Sequence, residues 1–384
     1  MENKSNQDVT PRAAKVVVNT ARAVLAVAFL FSGFVKAIDP LGTQYKFQDY
    51  LAALDMSRNV ADWMTLTGSI LLSATEMVIG FCLLLAIARR MTSRIALAFM
   101  AVMTAVTVWI FFFDPVKDCG CFGDAIVLSN TATLLKNIFL LAAAAVVAWR
   151  PLYMPRLFSK GNQWLLFQAS VALPLALSLW CLYDLPLIDF RPYHVGADIR
   201  KGMEIPDGAE MPEVVTTFIL EKDGVRKEFT LEDYPDSTWT FIDSKTVTVK
   251  EGYVPPIHDF FILNAEGEDI TENVLAEKGY VFLLVSPSLR FADDQNFGDI
   301  DQIYEFCHDN GIPFLCLTAS DEDEISHWQN ITGAEYPFCF TDAVTLKTVI
   351  RSNPGLVVLK DGKVAAKWSH NRLPDVEELR KRQK

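Results

Sequence analysis

Long apolar stretches dominate the first half of the chain, at about residues 16–38, 66–88, 94–113, 131–149 and 164–183. The length of each stretch is close to the roughly 20 apolar residues that a helix needs to cross about 30 Å of hydrocarbon. Because backbone polar groups inside a bilayer must be hydrogen-bonded within their own segment, we predict that each stretch is a transmembrane helix. Buried helices of a soluble bundle would instead carry polar stripes at helical spacing, and stretches such as 140–147 have none.

The second half replaces long apolar stretches with short ones that alternate with amphipathic segments. From residue 257 the pattern predicts, in order, a hairpin at 257–263 with a turn at 264–267, strand 280–286, helix 297–309, strand 313–318, helix 321–331, strand 337–340, helix 343–350, a hairpin of strands 355–360 and 363–368, and helix 374–383. Strands that alternate with helices and end in a hairpin predict an α/β sandwich.

A stretch of β pattern connects the two halves. Residues 214–220 and 225–231 predict one hairpin, and residues 239–243 and 245–250 predict a second. Tyr193, which follows the last apolar stretch, is expected to lie at the membrane interface. We therefore divide the chain into a transmembrane helical domain (1–185), a β-rich connector (186–256) and an α/β domain (257–384).

The composition of the whole chain, with 51% hydrophobic residues, hides the difference between the two halves, but their net charges reveal it. Residues 1–190 hold 15 Lys and Arg against 12 Asp and Glu, a net charge of +3, whereas residues 191–384 hold 20 against 35, a net charge of −15. Nucleic-acid binding needs a basic face that neutralises phosphates, so the acidic half argues against nucleic acid as a partner. It suits a soluble domain outside the cell membrane or a neutral-to-basic partner, and acidity alone does not decide between the two.

Basic residues also predict the orientation in the membrane. They cluster before the first apolar stretch and in the second and fourth connections, at Lys4, Arg12, Lys15, Arg89, Arg90, Arg94, Arg150, Arg156 and Lys160. Short connections rich in Lys and Arg face the cytoplasm, so five crossings place residues 184–384 outside. We expect a bacterial-type inner membrane, with a cytoplasmic N-terminus and a periplasmic C-terminal domain.

Two of the seven cysteines form a close pair, in Asp118-Cys119-Gly120-Cys121-Phe122-Gly123. On the predicted orientation they lie outside, where disulfides persist. A disulfide between them would close a very small ring, depart from relaxed geometry and so exchange readily. Three interpretations stay open: a thiol–disulfide exchange site, a structural staple of the loop, and half of a metal site. No matching Cys or His pair lies nearby in sequence, and the five histidines lack metal-ligand spacing.

Residues 21–149 resemble the DoxX and MauE-like membrane proteins. The matching features are Phe31-Ser32-Gly33-Phe34-Val35-Lys36, Asp39-Pro40, Glu76 with Gly80, the Cys119-Gly120-Cys121-Phe122-Gly123 loop, and Lys136-Asn137. The cysteine loop is the most specific of these features. The resemblance implies a four-helix membrane bundle linked to redox or disulfide chemistry.

Ionisable residues inside the apolar stretches are candidates for function, because charge is expensive to bury in lipid. Glu76 lies near the middle of the second stretch, and Lys36 and Lys136 lie near the outer ends of the first and fourth. We expect Glu76 to face the bundle interior, either protonated or paired with one of these lysines. The group could serve a quinone-coupled relay, or it could be a buried polar contact that holds the bundle together.

The element order after residue 257 resembles the thioredoxin-like fold of redoxins. Pro354 stands where that fold carries a cis-proline before its terminal hairpin. The redox Cys-x-x-Cys should follow strand 280–286, but the sequence there is Pro287-Ser288-Leu289-Arg290. The resemblance therefore implies a binding domain without its own dithiol, which could hold an extended client peptide beside Pro354. We expect Cys307, Cys316 and Cys339 to be structural.

Two functions remain open from the sequence. One is a membrane thiol–disulfide redox component, in which Cys119 and Cys121 exchange electrons with a quinone or a periplasmic client protein that the outer domain presents. The other is a non-catalytic membrane scaffold whose cysteine pair is a structural disulfide. The cysteine loop favours the first function, and the missing Cys-x-x-Cys favours the second.

Overall fold

A computed structural model describes residues 5–56, 60–116, 119–210, 213–222, 225–230, 239–250 and 252–383. Its N-terminal part contains helices α1 (Ser5–Ile38), α2 (Pro40–Ala53), α3 (Asp62–Leu84), α4 (Arg89–Phe113), α5 (Asn130–Trp149) and α6 (Lys160–Tyr183). All of these except α2 are long and apolar enough to cross a membrane. The predicted set of membrane helices is confirmed, and the protein is a multi-pass membrane protein.

Helix α2 lies where the sequence analysis placed a loop. Pro40 occupies its first turn, where a missing N–H costs nothing. Asp39 caps the helix by accepting a hydrogen bond from the N–H of Gly42 at 2.9 Å. The helix begins two residues after α1 ends and packs mainly against α3.

Two glycines allow α1 and α3 to pack closely. A Cβ atom on Gly33 would lie 2.7 Å from the backbone nitrogen of Met77, and one on Gly80 would lie 2.9 Å from that of Leu30. Small residues at such positions let helix backbones approach each other in a membrane. This approach brings the polar side chains of α1 and α3 into contact.

The connector differs from the prediction in two respects. Strands β1 (Glu213–Lys222), β2 (Val225–Phe229) and β3 (Thr240–Lys250) form an antiparallel sheet of order β2-β1-β3. The predicted second hairpin is wrong, because residues 240–250 form one continuous strand. Tyr193 is not an interface residue: it is 2% exposed and packs against Phe260, with ring centroids 5.7 Å apart.

The C-terminal part is built on strands β4 (Tyr280–Ser286), β5 (Phe314–Thr318), β6 (Phe338–Phe340), β7 (Gly355–Lys360) and β8 (Lys363–Ser369). Their order is β6-β5-β4-β7-β8, with β4, β5 and β6 parallel and β7 and β8 antiparallel to their neighbours. The Asn353–Pro354 peptide bond before β7 is cis. This arrangement is thioredoxin-like, as the element order predicted.

Helices cover both faces of this sheet: α7 (Ile199–Met203), α8 (Thr271–Ala276), α9 (Phe297–Asp309), α10 (Glu322–Thr332), α11 (Ala343–Val349) and α12 (Val376–Gln383). Residues of α8 and α11 belong to one core cluster, and residues of α9, α10 and α12 to the other. The predicted turn at 264–267 is present, with the Gly267 N–H donating to the Asn264 carbonyl at 3.0 Å, but the hairpin around it is reduced to an isolated bridge between Leu263 and Asp269, and Leu263 makes a second isolated bridge to Phe340.

Candidate thiol–disulfide site

The cysteine loop follows α4 and turns sharply at its glycines. Gly120 and Gly123 have φ angles of +63° and +51°, in the left-handed region that favours glycine. The turn at Gly120 brings the Sγ atoms of Cys119 and Cys121 within 3.0 Å of each other, as two thiols. Cys119 is buried and Cys121 is half-buried. A pair this close can form and break a disulfide without a large backbone movement.

Side chains from two helices hold the backbone of this loop. The carbonyl of Cys121 accepts hydrogen bonds from Ser32 Oγ and from Lys36 Nζ, both at 2.7 Å. The hydroxyl of Tyr50, on α2, donates to the carbonyl of Cys119 at 3.0 Å. Each cysteine carbonyl is therefore fixed from a different helix.

A buried ion pair lies directly below the loop. Lys36 Nζ is 2.9 Å from Glu76 Oε2, and both side chains are 4% exposed. Ser32 Oγ lies 2.8 Å from the same carboxylate oxygen, so its single hydroxyl hydrogen is shared between Glu76 and the Cys121 carbonyl, and it accepts from Lys36 Nζ at 2.7 Å. The structure thus pairs Glu76 with Lys36. Because charges this deeply buried are costly unless paired, the network fixes α1 against α3 beneath the cysteines.

Lys136 reaches the site from α5. Its Nζ lies 4.1 Å from the ring centroid of Phe122, which is a cation–π distance. Lys136 also lines, together with Glu76, Cys121 and Asn137, a small cleft of about 30 Å³, enough for roughly one or two water molecules, whose other walls are mostly apolar. The three ionisable residues that the sequence suggested therefore lie around Cys121.

The surroundings of the two thiols push their pKa values apart. The pKa of Cys121 is lowered to about 6 by the hydrogen bond from Cys119 and, further, by the positive charges of Lys136 and Lys36, although burial opposes this shift. The pKa of Cys119 is raised, because its proton is held in the hydrogen bond to Cys121 and because the thiol is buried. The arrangement makes Cys121 the thiolate and Cys119 the thiol.

The thioredoxin-like domain contacts the loop through Arg351, which is 6% exposed on its side chain. Its guanidinium is 2.9 Å from Asp39, at the start of α2, and 3.4 Å from Asp124, just after the cysteine motif. Burial alone would raise the pKa of Asp39, but the positive charges of Arg351 and Arg191, with the hydrogen bonds from Arg351 and the Gly42 N–H, together lower it. Burial raises the pKa of Asp124, and Arg351 offsets only part of that shift. Arg351 therefore ties α2, the loop and the outer domain together.

The corner of the thioredoxin-like domain that normally carries a dithiol is held by hydrogen bonds instead. Ser286 Oγ donates to Asn353 Oδ1 at 2.7 Å, and Asn353 Nδ2 donates to the carbonyl of Ser288 at 2.9 Å. Pro354 itself is buried. Its role in holding a peptide stays a prediction.

The remaining cysteines are buried in the two domains. Burial raises the pKa of Cys307 to about 12 and also raises those of Cys316 and Cys339, as expected for structural thiols. Cys82 and Cys181 are buried in α3 and α6. No His, Cys, Asp and Glu residues cluster as a metal site within the described ranges.

Sequence reasoning missed Ser32, Tyr50 and Arg351. Ser32 carried a usable signal, because it lies four residues before Lys36 and so on the same face of α1. Tyr50 and Arg351 carried none, since each meets the loop only through the tertiary fold.

Known proteins resemble different parts of this chain. Residues 14–150 match the model of a family described as methylamine utilisation protein MauE, and residues 214–251 match a domain of unknown function, DUF8463. No curated protein sequence matches the chain. A solution structure described as that of "a putative protein disulfide isomerase from Bacteroides thetaiotaomicron" shares 17% identity, over 32% of this chain and 80% of that chain, with a TM-score of 0.26.

The protein is thus a multi-pass membrane protein with a thioredoxin-like C-terminal part. More particularly, its N-terminal part is MauE-like, as the sequence predicted. The thioredoxin-like assignment rests on the order and direction of the strands and on the cis-proline, and not on the low-scoring structural match.

Proposed function

We propose that this protein is a membrane thiol–disulfide redox component in which Cys119 and Cys121 cycle between a dithiol and a disulfide. The observation that carries the proposal is geometric: the two sulfurs lie 3.0 Å apart, and the cations Lys36 and Lys136 both stand beside Cys121. A loop staple needs no such asymmetry, whereas exchange needs one nucleophilic thiolate and one thiol held in reserve.

The exchange step follows from this asymmetry. The Cys121 thiolate attacks a sulfur of a partner disulfide, forms a mixed disulfide and releases the first partner thiolate. Cys119 Sγ then attacks the Cys121 sulfur, which forms the Cys119–Cys121 disulfide and releases the second partner sulfur. The Cys119 proton goes to a leaving thiolate. Two electrons pass from the pair to the partner, and the reverse sequence oxidises a client dithiol.

We also propose two partners for the cysteine pair, a client protein and a quinone. A periplasmic client could dock on the thioredoxin-like domain, which touches the loop through Arg351 but carries only buried cysteines. The cleft beside Cys121 has apolar walls with Lys136 and Asn137, a chemistry that suits a quinone head group, but at about 30 Å³ it would have to open to admit one. A quinone there would supply two-electron oxidation of the dithiol. We also propose the inner-membrane location and periplasmic loop that the basic connections predict.

The reactivity of Cys121 tests the proposal. We expect the rate of alkylation by iodoacetamide in the full-length protein to rise with pH and to reach half its maximum near pH 6, because only the thiolate reacts. Lys136→Met should move the midpoint to higher pH, because a stabilising positive charge is lost, whereas Lys136→Arg should leave it nearly unchanged. Mass spectrometry of the modified peptides assigns the rate to each cysteine.

A Cys121 that stays unreactive up to pH 9 would favour the scaffold, in which the pair is only structural. The buried thiols Cys307 and Cys316 serve as internal controls. If they react as fast as Cys121, the protein has opened and the rates do not report on the site.

Arg351 gives a second test, of the coupling between the domains. Arg351→Ala leaves Asp39 and Asp124 without their shared cation, so we expect the loop to loosen and alkylation of Cys119 and Cys121 to accelerate at least about tenfold. The matched control is Arg372→Ala, since Arg372 pairs with Asp184 at the end of α6 and so joins the domains without touching the loop. Equal acceleration in both variants would mean that domain contact in general, and not Arg351, holds the loop.

A further inference from the structure

A basic cavity lies at the end of the helical bundle opposite the cysteine loop. It has a volume of about 430 Å³ and lies where α4 and α6 begin. Its charged lining residues are Arg89, Arg90, Arg156 and Lys160, with no acidic residue among them. The connections that supply these residues, 85–94 and 150–163, contain neither Asp nor Glu.

The positive charge of this cavity is largely unneutralised. Arg89 is fixed by donating to the carbonyl of Met154 at 2.6 Å, which leaves its charge in place. Arg90, Arg156 and Lys160 are exposed, and within the described part of the chain they face no carboxylate. The starts of α4 and α6 add the positive ends of two helix dipoles. Such a cavity is complementary to an anion.

An apolar groove continues from the cavity toward the middle of the membrane. It has a volume of about 370 Å³ and lies between α3, α4 and α6. The two spaces share Ala88 and Met91 as lining residues, so they are adjacent. The groove wall includes Ile95, Phe167 and Val171 and carries no charged residue.

We propose that the adjacent cavity and groove bind a phospholipid with an anionic headgroup. The guanidinium groups hold the phosphate through charge-assisted hydrogen bonds, and the groove takes one acyl chain. Basic connections occur on the cytoplasmic side of many membrane proteins and by themselves indicate only orientation. Here, however, the basic residues line a cavity that lies next to an apolar groove, and basic pockets between membrane helices bind anionic headgroups. The site is independent of the redox proposal, because it lies at the far end of α4.

Lipid retention by the full-length protein in detergent tests this site. Native mass spectrometry should show tighter binding of dioleoyl phosphatidylglycerol than of dioleoyl phosphatidylcholine. The triple variant Arg90→Gln, Arg156→Gln, Lys160→Gln should lose about 100-fold in affinity for phosphatidylglycerol, because each basic residue near a charged headgroup contributes several-fold. The control triple Arg12→Gln, Lys15→Gln, Arg94→Gln removes the same charge from the same side of the bundle, outside the cavity, and should lose only a few-fold.

A second variant tests the groove without changing the charge. Val171→Trp fills the groove and should weaken phosphatidylglycerol binding, and it decides the question even if the triple variant does not fold. The proposal would be overturned if the wild-type protein retained both lipids equally. It would also be overturned if the two triple variants lost the same affinity for phosphatidylglycerol. So would inorganic phosphate that competes in the wild-type protein as strongly as the lipid does, because the site would then take a free anion.

Discussion

Cys119→Ser is expected to accumulate a mixed disulfide at Cys121, and Cys121→Ser is expected to accumulate none. The reason is the division of roles set by the pKa values: Cys121 is the attacking thiolate, and Cys119 is the thiol that resolves the intermediate. Either replacement should lower exchange turnover by at least about 100-fold, because a hydroxyl can neither attack nor resolve a disulfide at neutral pH. Acid quenching, thiol blocking and non-reducing electrophoresis of native membranes would measure the adduct, and mass spectrometry would identify its partner.

Cys181→Ser is the matched control for this experiment. Cys181 is buried near the end of α6. We expect its replacement to change neither turnover nor the amount of adduct. Adducts in Cys121→Ser but not in Cys119→Ser would reverse the two roles, and adducts in neither would contradict exchange at this pair.

Lys36→Met is expected to destabilise the folded protein by about 3–5 kcal/mol, because it leaves the buried carboxylate of Glu76 without its cation. It also removes the donor to the Cys121 carbonyl and one of the charges that favour the thiolate. The double variant Lys36→Met, Glu76→Gln should recover part of the loss, since no unpaired charge then remains buried. Unfolding of the full-length protein in detergent, followed by labelling of Cys82, would measure the difference.

The control for this prediction is Lys15→Met, which removes an exposed lysine at the far end of the bundle, outside the basic cavity. A surface replacement of this kind should change the stability by less than about 0.5 kcal/mol. If Lys36→Met is as mild as Lys15→Met, the ion pair does not hold α1 against α3. If the double variant is no more stable than Lys36→Met, the unpaired buried charge of Glu76 is not the cause of the lost stability.

Much of the fold could be predicted because the pattern is local. The membrane helices are uninterrupted apolar stretches, and the strands and helices after residue 280 each carry their own period. Helix α2 has only 14 residues and a weak apolar pattern, so a loop was the natural interpretation. Polar residues interrupt the apolar pattern in the middle of residues 240–250, which is why the sequence predicted a hairpin there. Pairing with β1 along its length keeps this segment in one strand.

The candidate site was also predictable only where its signal is local in the sequence. The cysteine pair and the buried charges near it were visible in the sequence, since unusual residues at short spacing or inside apolar stretches stand out. The contact of Arg351 with Asp39 joins residues 312 positions apart, so no spacing rule could indicate it. Tyr193 was misplaced because an aromatic residue after a membrane helix suits the interface as well as a core.

The most direct test of the central claim is a redox titration of the purified full-length protein, with free thiols at Cys119 and Cys121 trapped and counted at each potential. The account predicts one reversible two-electron transition, in which both thiols disappear together, and its loss in Cys119→Ser. A pair that stays oxidised under strong reductant, or that never oxidises, would contradict the account and leave a membrane protein whose cysteine loop is structural.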